Sequence, residues 1–232
     1  MYNDAKLEAL PVSKVKFVGR EGLPVWAITY FLEKTCLYHM KLTILQRICD
    51  LAANGVPDDC FYAVASSADI FPEEAFANTK FKDVIVYSEK SRDTNKFWHI
   101  IGKYKRPIVL LKNKDNKFIP LCDFQSDEAA KIWSFKEQSP PEGIIKGAAG
   151  ALIDLFFAHE RENRLRLEHM QKQIGLATKN LQSIVSASKV ILSDDTPAGV
   201  RRYAEAQLNA ILEAQAKLNR EIGIIDNIEF DV

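Results

Sequence analysis

The sequence predicts an α/β protein with a helical C-terminal part. Three observations carry this prediction. Short, continuous apolar runs alternate with helical segments over residues 1–125, apolar residues recur at three- and four-residue spacing near the C-terminus, and a turn with Pro197 divides that helical pattern. We expect a Rossmann-like α/β domain with a mostly parallel sheet at 1–125, a helix and linker at 126–142, and a long antiparallel helical hairpin at 143–232.

The elements of the first part follow from local signals. Pro24 stands where a helix can begin, and Asn54-Gly55 is a typical helix end. Ser66-Ser67 follows an apolar run as a loop follows a buried strand, and the turn at 114–116 predicts a hairpin. The expected strands are 15–18, 60–65, 83–87, 107–111 and 118–121, and the expected helices include 42–53 and 94–105.

The second part is expected to be helical throughout. Ser126 caps a predicted helix to about residue 137, which Pro140-Pro141 ends. Two apolar seams follow and are joined by a short turn, so they predict a coiled-coil-like hairpin. The first seam consists of Leu167, Met170, Ile174, Ala177, Leu181, Ile184, Ser188 and Ile191, and the second of Ala204, Leu208, Ile211, Gln215, Leu218, Ile222 and Ile225.

The apolar side chains of residues 144–157 must be buried, and the predicted hairpin does not bury them. The alternatives are packing against the α/β domain, a dimer interface with a second chain, and insertion into a membrane surface; the stretch is too short to span a bilayer. The residues expected at an interface between copies are Leu152, Leu155, Phe156, Leu167, Met170, Ile174, Leu181, Ile184, Leu208, Ile211, Leu218 and Ile222.

Charge is unevenly distributed along the chain. The 232 residues contain 31 Lys and Arg and 31 Asp and Glu, and 47% are apolar, which is typical of a globular protein. Residues 1–125 hold 18 basic and 15 acidic residues, and 126–232 hold 13 and 16. Between 78 and 118 there are 11 basic and four acidic residues, so an anionic partner is expected there.

The search for catalytic chemistry gives no complete motif. The four cysteines show no C-x-x-C pair and predict buried, reduced thiols, with a cytoplasmic location and no signal peptide. His159 and Glu162 have the spacing of helical metal ligands, but no second pair accompanies them, so we expect a solvated helix and no metal. No cofactor is predicted, and the chain is not expected to be an enzyme.

One segment resembles a known group of folds. An apolar strand from Asp83 to Tyr87, a polar loop, a helix with Phe97 and Trp98, and the strand entry Arg106-Pro107 look like the second half of TIR domains and nucleoside 2-deoxyribosyltransferases. The resemblance covers residues 82–111. It implies a Rossmann-like fold and a nucleotide pocket, but the catalytic glutamate of those families is not matched, and Glu89 is the nearest carboxylate.

The basic segment around that helix has two interpretations. In the first, lysines interleaved with aromatic side chains contact phosphates and stack on bases. In the second, Trp98 and Ile101 face the sheet, and the lysines form the wet side of an amphipathic helix or cover the acidic second half. The predicted ligand-binding residues are Lys96, Trp98, Lys103, Lys105 and Arg106.

These observations predict a non-enzymatic interaction or assembly protein. Its α/β domain would present a basic face to an anionic ligand or protein partner, and it would form a homo-oligomer, most simply a dimer, through the C-terminal helices. One alternative is an enzyme of TIR-like fold that processes NAD or a nucleoside N-glycosidic bond, with Glu89 as its carboxylate. A further alternative is a nucleic-acid-binding protein.

Overall fold

A computed structural model describes residues 7–64, 84–88, 94–123, 125–136, 138–158, 185–224 and 228–231. The described strands are β1 Val12–Val18, β2 Phe61–Val64, β3 Val84–Val86, β4 Val109–Lys112, β5 Phe118–Pro120, β6 Lys131–Lys136, β7 Glu142–Ala148 and β8 Ile228–Asp231. The described helices are α1 Val25–Ala53, α2 Thr94–Lys103, α3 Ala149–Phe156, α4 Ala187–Ile191 and α5 Ala198–Ile222, with a 3₁₀ turn at Asp58–Cys60.

The strands form two four-stranded sheets, and every described pairing is antiparallel. Sheet A has the order β6-β7-β1-β8, and sheet B has the order β3-β2-β4-β5. The predicted parallel, Rossmann-like sheet is therefore wrong. The reason is that a short apolar run identifies a buried strand but not its direction, and β1 pairs with β7, which lies far along the chain.

The long helix α1 occupies the centre of the molecule. Pro24 precedes it as predicted, and Gly55 follows it with a φ of 81°, a conformation that glycine adopts without strain. Every residue from His39 to Cys49 is buried, so α1 is covered on all sides by other elements over this length. It contacts α3, α4, α5 and β7, and its buried residues share one core with residues of both sheets.

An aromatic cluster fixes the position of α1 against sheet A. The ring centroids of Phe17 on β1 and Phe31 on α1 are 5.3 Å apart, and Phe156 on α3 lies 5.9 Å from Phe17. Gly143 on β7 lets the Phe17 ring approach, because a Cβ there would lie 2.5 Å from the ring. Edge and tilted ring contacts of this kind stabilise a core beyond the burial of their area.

The prediction of a long C-terminal helical hairpin is also wrong. Within the part of the chain that the structure describes, α5 pairs with no second long C-terminal helix, and its apolar seam packs on α1 and α3. Of the predicted first arm, residues 159–184 lie outside the described residues, and the described parts contain the eight-residue helix α3 and the five-residue helix α4. The apolar stretch that begins at residue 144 first continues strand β7, where side chains alternate between buried and half-buried, and becomes helical only at Ala149.

The prediction of a helix at 126–137 is wrong as well, because the second half of this segment is a strand. Residues 131–136 form β6, which pairs with β7 through a bulge between Ile132 and Ser134. Sheet A thus takes strands from each of the three expected segments, 1–125, 126–142 and 143–232. None of the described helices has the length and apolar character needed to cross a membrane.

Buried polar contacts connect the helices around α1. Gln215 on α5 donates to Thr35 on α1 at 3.0 Å and to Asn219 at 2.9 Å. Asn219 donates in turn to the backbone carbonyls of Leu155 and Phe156 at the end of α3. Because the C-terminal carbonyls of a helix have no partner within the helix, this network satisfies two of them and joins three helices.

Candidate anion-binding surface

The N-terminal half of α1 presents aromatic side chains to solvent. Trp26 is 73% exposed and Tyr30, one turn later, is 48% exposed. The Lys34 ammonium lies 5.3 Å from the centroid of the Tyr30 ring, in a cation–π contact. Residues 26, 30 and 34 are four apart, so they form one stripe along the helix.

Helix α2 ends against the same stripe, further along α1. Lys41 donates a hydrogen bond of 2.6 Å to the carbonyl of Gly102, in the last turn of α2. After α2, the Lys105 ammonium lies 4.0 Å from the carboxylate of Glu33. We call the combined region the α1–α2 surface; it consists of Trp26, Tyr30, Glu33, Lys34, Lys41, Lys103, Lys105 and Arg106.

The α1–α2 surface is strongly basic. It carries five cationic residues against one carboxylate, a balance of +4. Lys103, Lys105 and Arg106 are all exposed, and within the described residues neither Lys103 nor Arg106 forms an ion pair. The Lys105–Glu33 pair is exposed to solvent on both sides, so it is worth little and leaves Lys105 able to exchange partners.

The buried lysine at this surface has an altered titration. Burial and, to a smaller extent, the positive charge of Lys34 lower the pKa of Lys41 from 10.5 to about 8. The hydrogen bond to Gly102 places the ammonium at the C-terminal end of α2, where the helix dipole favours a positive charge. Lys41 therefore joins the two helices and remains mainly cationic at neutral pH.

The structure separates the five predicted ligand-binding residues. Lys103, Lys105 and Arg106 belong to the α1–α2 surface, and Lys96 is exposed on the first turn of α2. Trp98 is only 2% exposed and stacks on Tyr203 of α5, with ring centroids 5.7 Å apart and planes 8° apart. Its position matches the interpretation in which this tryptophan belongs to the core, and it cannot stack on a base.

The aromatic residues of the α1–α2 surface were missed by the sequence reasoning. Trp26, Tyr30 and Lys34 repeat at four-residue spacing directly after the helix start at Pro24, which is the signal that could have found them. The other residues of α1 are mostly apolar, and an aromatic stripe in an apolar helix ordinarily indicates a buried face. The spacing alone therefore does not identify these residues as exposed.

A second lysine-bearing surface covers the outer face of sheet A. The register aligns Lys14, Lys146 and Lys131 in one row across β1, β7 and β6. Trp133 lies above this row and is 58% exposed. The Lys14 and Lys146 ammonium groups lie 4.6 Å and 5.4 Å from its ring centroid. We call this region, with Lys16 and Lys136, the sheet A surface.

Acidic side chains form ion pairs with most lysines of the sheet A surface. Asp127 lies 3.1 Å from Lys146 and 4.0 Å from Lys131. Glu142 lies 3.5 Å from Lys16 and 3.9 Å from Lys136. The hydrogen bond from Lys146 and its charge lower the pKa of Asp127, so this carboxylate stays ionised at neutral pH. Four of the five lysines of the sheet A surface are thus already engaged by the protein's own carboxylates.

Three of the four thiols and the buried histidine are poorly suited to catalysis. Burial raises the pKa of Cys36 to about 11 and those of Cys49 and Cys122 to about 12, so these groups stay protonated and weakly nucleophilic. Burial also lowers the pKa of His39 to about 4, although its hydrogen bond to the Ala148 carbonyl acts in the opposite direction. In the described ranges, no three His, Cys, Asp or Glu residues are grouped as metal ligands would be. Glu89 lies outside the described residues.

The residues expected at an interface between copies divide into two groups. Seven are described, and all are buried in the core of the single chain: Leu152, Leu155, Phe156, Leu208, Ile211, Leu218 and Ile222. The other five lie outside the described residues: Leu167, Met170, Ile174, Leu181 and Ile184. Packing within the chain therefore accounts for the apolar character of the described group.

Comparisons with known proteins do not assign the chain to a family. No family model, no curated protein and no solved structure matches it. The two sheets around α1 and the distribution of charge over the surface are the observations from which a function can be argued.

Proposed function

We propose that this chain is a non-enzymatic binding protein that holds an anionic partner on its α1–α2 surface. The observation that carries the proposal is the balance of five cationic residues against one carboxylate, on elements joined by the Lys41–Gly102 hydrogen bond. A rigidly placed set of like charges raises the local concentration of counter-ions and accelerates the encounter with an anionic partner.

The position of the cations supports the same proposal. Keeping several positive charges close together costs electrostatic energy, and the charge of Lys34 contributes in this way, after burial, to the lowered pKa of Lys41. On the sheet A surface, in contrast, carboxylates offset the lysines. An anionic partner at the α1–α2 surface would take the place of the missing carboxylates.

Self-association, cytoplasmic location and the enzyme alternative have weaker support. The self-association predicted for the C-terminal helices now depends on the five residues outside the described ranges. The NAD or nucleoside enzyme depends on Glu89, which also lies outside them. The anionic partner is therefore the part of the hypothesis that the described residues favour.

Heparin, a polyanion without bases, tests the proposal directly. We expect the wild-type protein to bind heparin at low salt, with an affinity that falls as the salt concentration rises. The double variant Lys105→Glu, Arg106→Glu should bind about tenfold more weakly, because two favourable charges become repulsive. Isothermal titration calorimetry at several salt concentrations measures both effects.

The sheet A surface provides the matched control. The double variant Lys131→Glu, Lys136→Glu, at two exposed lysines that Asp127 and Glu142 already engage, changes the net charge by the same amount but should leave heparin affinity within about twofold of wild type. Equal losses in the two double variants would show that only net charge matters and would contradict the proposal. All four side chains lie on the protein surface, so circular dichroism should show both variants folded.

A further inference from the structure

We infer that the anionic partner of the α1–α2 surface is a single-stranded nucleic acid. This inference rests on the proposed function and adds the chemical class of the ligand. Two kinds of group lie together on the surface: cations that can contact phosphates, and the exposed rings of Trp26 and Tyr30 that can stack on bases. Single-stranded nucleic acids are bound by this combination of a positive surface and aromatic platforms.

The dimensions of the surface suit an extended chain. From Trp26 to Lys34 the accessible stripe on α1 covers about 12 Å, at 1.5 Å per residue. Trp26 and Tyr30 are at one end of this stripe, and Lys34, Lys103, Lys105 and Arg106 continue from it toward the end of α2, where Lys105 contacts Glu33. An extended strand lying along α1 can therefore use the rings and the cations together.

A duplex uses this surface less well. The bases of a duplex are already stacked and paired, so they can reach Trp26 and Tyr30 only after the strand has been opened. The faces of single-stranded bases are available, and stacking on an aromatic side chain tolerates any base. We therefore expect a preference for single strands, with little dependence on base sequence.

An acidic peptide or an anionic membrane would use only part of the surface. A peptide rich in carboxylates would engage the cations but would leave the ring of Trp26, which is 73% exposed, without a flat partner. An anionic membrane would bring a continuous layer of headgroups against Glu33, which lies between the aromatic and the basic residues and would be repelled by them. A flexible nucleic acid strand can place its phosphates on either side of this carboxylate.

The test compares the affinity of the full chain for oligothymidylate, the matching duplex, heparin, polyglutamate and vesicles that contain phosphatidylserine. We expect oligothymidylate to bind most tightly. Trp26→Ala and Tyr30→Ala should each weaken its binding about fivefold or more, because each removes one stacking platform. Trp133→Ala, which removes the exposed tryptophan of the sheet A surface, is the matched control and should have no effect.

The readouts separate this inference from the proposed function. Heparin has no bases, so Trp26→Ala should leave heparin binding unchanged while it weakens oligothymidylate binding. If heparin binds but oligothymidylate binding does not respond to Trp26→Ala, the nucleic acid inference is overturned and the anionic surface stands. Tighter binding of polyglutamate or of the vesicles would also overturn it, and absence of binding to every probe would overturn both proposals.

Discussion

The α1–α2 surface and the sheet A surface contain similar residues in different electrostatic settings. Each has an exposed tryptophan, several lysines and at least one cation–π contact. On sheet A, Asp127 and Glu142 lie within 4.0 Å of four of the five lysines. On the α1–α2 surface, Glu33 is the only acidic member. The comparison shows that lysine content alone does not identify an anion-binding surface, because the placement of the carboxylates decides its charge.

The largest expected effect concerns the two lysines that differ most in burial. Lys41 is 8% exposed and donates to Gly102, whereas Lys14 lies on the solvent face of β1. Lys41→Met leaves the Gly102 carbonyl without its donor and should lower the free energy of unfolding by about 1–3 kcal/mol at pH 10.5, where the charge of the buried amine no longer opposes folding. Lys14→Met should change it by less than about 0.5 kcal/mol. Urea unfolding of the two variants measures the difference.

The same lysine should also give a pH-dependent signal. The pKa of Lys41 is about 8 in the folded chain and 10.5 ordinarily, so between these values the unfolded chain binds more protons. Wild-type stability should therefore rise from pH 8 to pH 10.5, relative to Lys41→Met at each pH. Parallel curves for the two proteins over this range would show that Lys41 titrates normally and that its burial does not penalise the charge.

The next prediction concerns a variant in which the sheet A surface becomes more basic. Asp127→Asn with Glu142→Gln removes the carboxylates that neutralise Lys16, Lys131, Lys136 and Lys146. In the Lys105→Glu, Arg106→Glu background, we expect these changes to restore heparin affinity by about three- to tenfold, because each freed lysine gains attraction for the polyanion. Calorimetry with heparin measures the recovery. No recovery would mean that another property of the sheet A surface prevents binding.

The smallest effect comes from the acidic residue of the α1–α2 surface. Glu33→Gln removes the partner of Lys105 and should raise heparin affinity about two- to threefold at low salt, with the gain disappearing at high salt. Glu229→Gln, which removes a partner of Lys16 on sheet A, is the matched control and should have less effect. A larger gain from Glu229→Gln would reverse the assignment of the two surfaces.

Local structure was predictable from the sequence to a large extent. The helix start at Pro24, the helix end at Asn54-Gly55, the strand at β2 and the hairpin of β4 and β5 all follow from apolar periodicity and turn residues. The direction and partner of each strand were not predictable. Pairing of β1 with β7 and β8 depends on contacts between segments far apart in sequence, for which local patterns hold no information.

The functional surface was predictable only in part. The basic excess at 78–118 is a feature of the sequence itself, and it indicates Lys103, Lys105 and Arg106. It could not show that Trp98 stacks on Tyr203 or that Lys34 and Lys41 of α1 extend the same surface, because both facts depend on how helices pack. The predicted pairing of the two C-terminal seams was wrong for a related reason. An apolar helical face indicates that the face is buried but does not identify the element that buries it, and α5 packs on α1.

Protection of individual tryptophans is the most direct test of which surface binds. The chain has three tryptophans, and Trp98 is buried. Quenching by acrylamide therefore reports mainly on Trp26 in the variant Trp133→Phe and mainly on Trp133 in Trp26→Phe. We predict that saturating oligothymidylate reduces quenching in Trp133→Phe and leaves it unchanged in Trp26→Phe. Protection of Trp133 with no protection of Trp26 would contradict the assignment of anion binding to the α1–α2 surface.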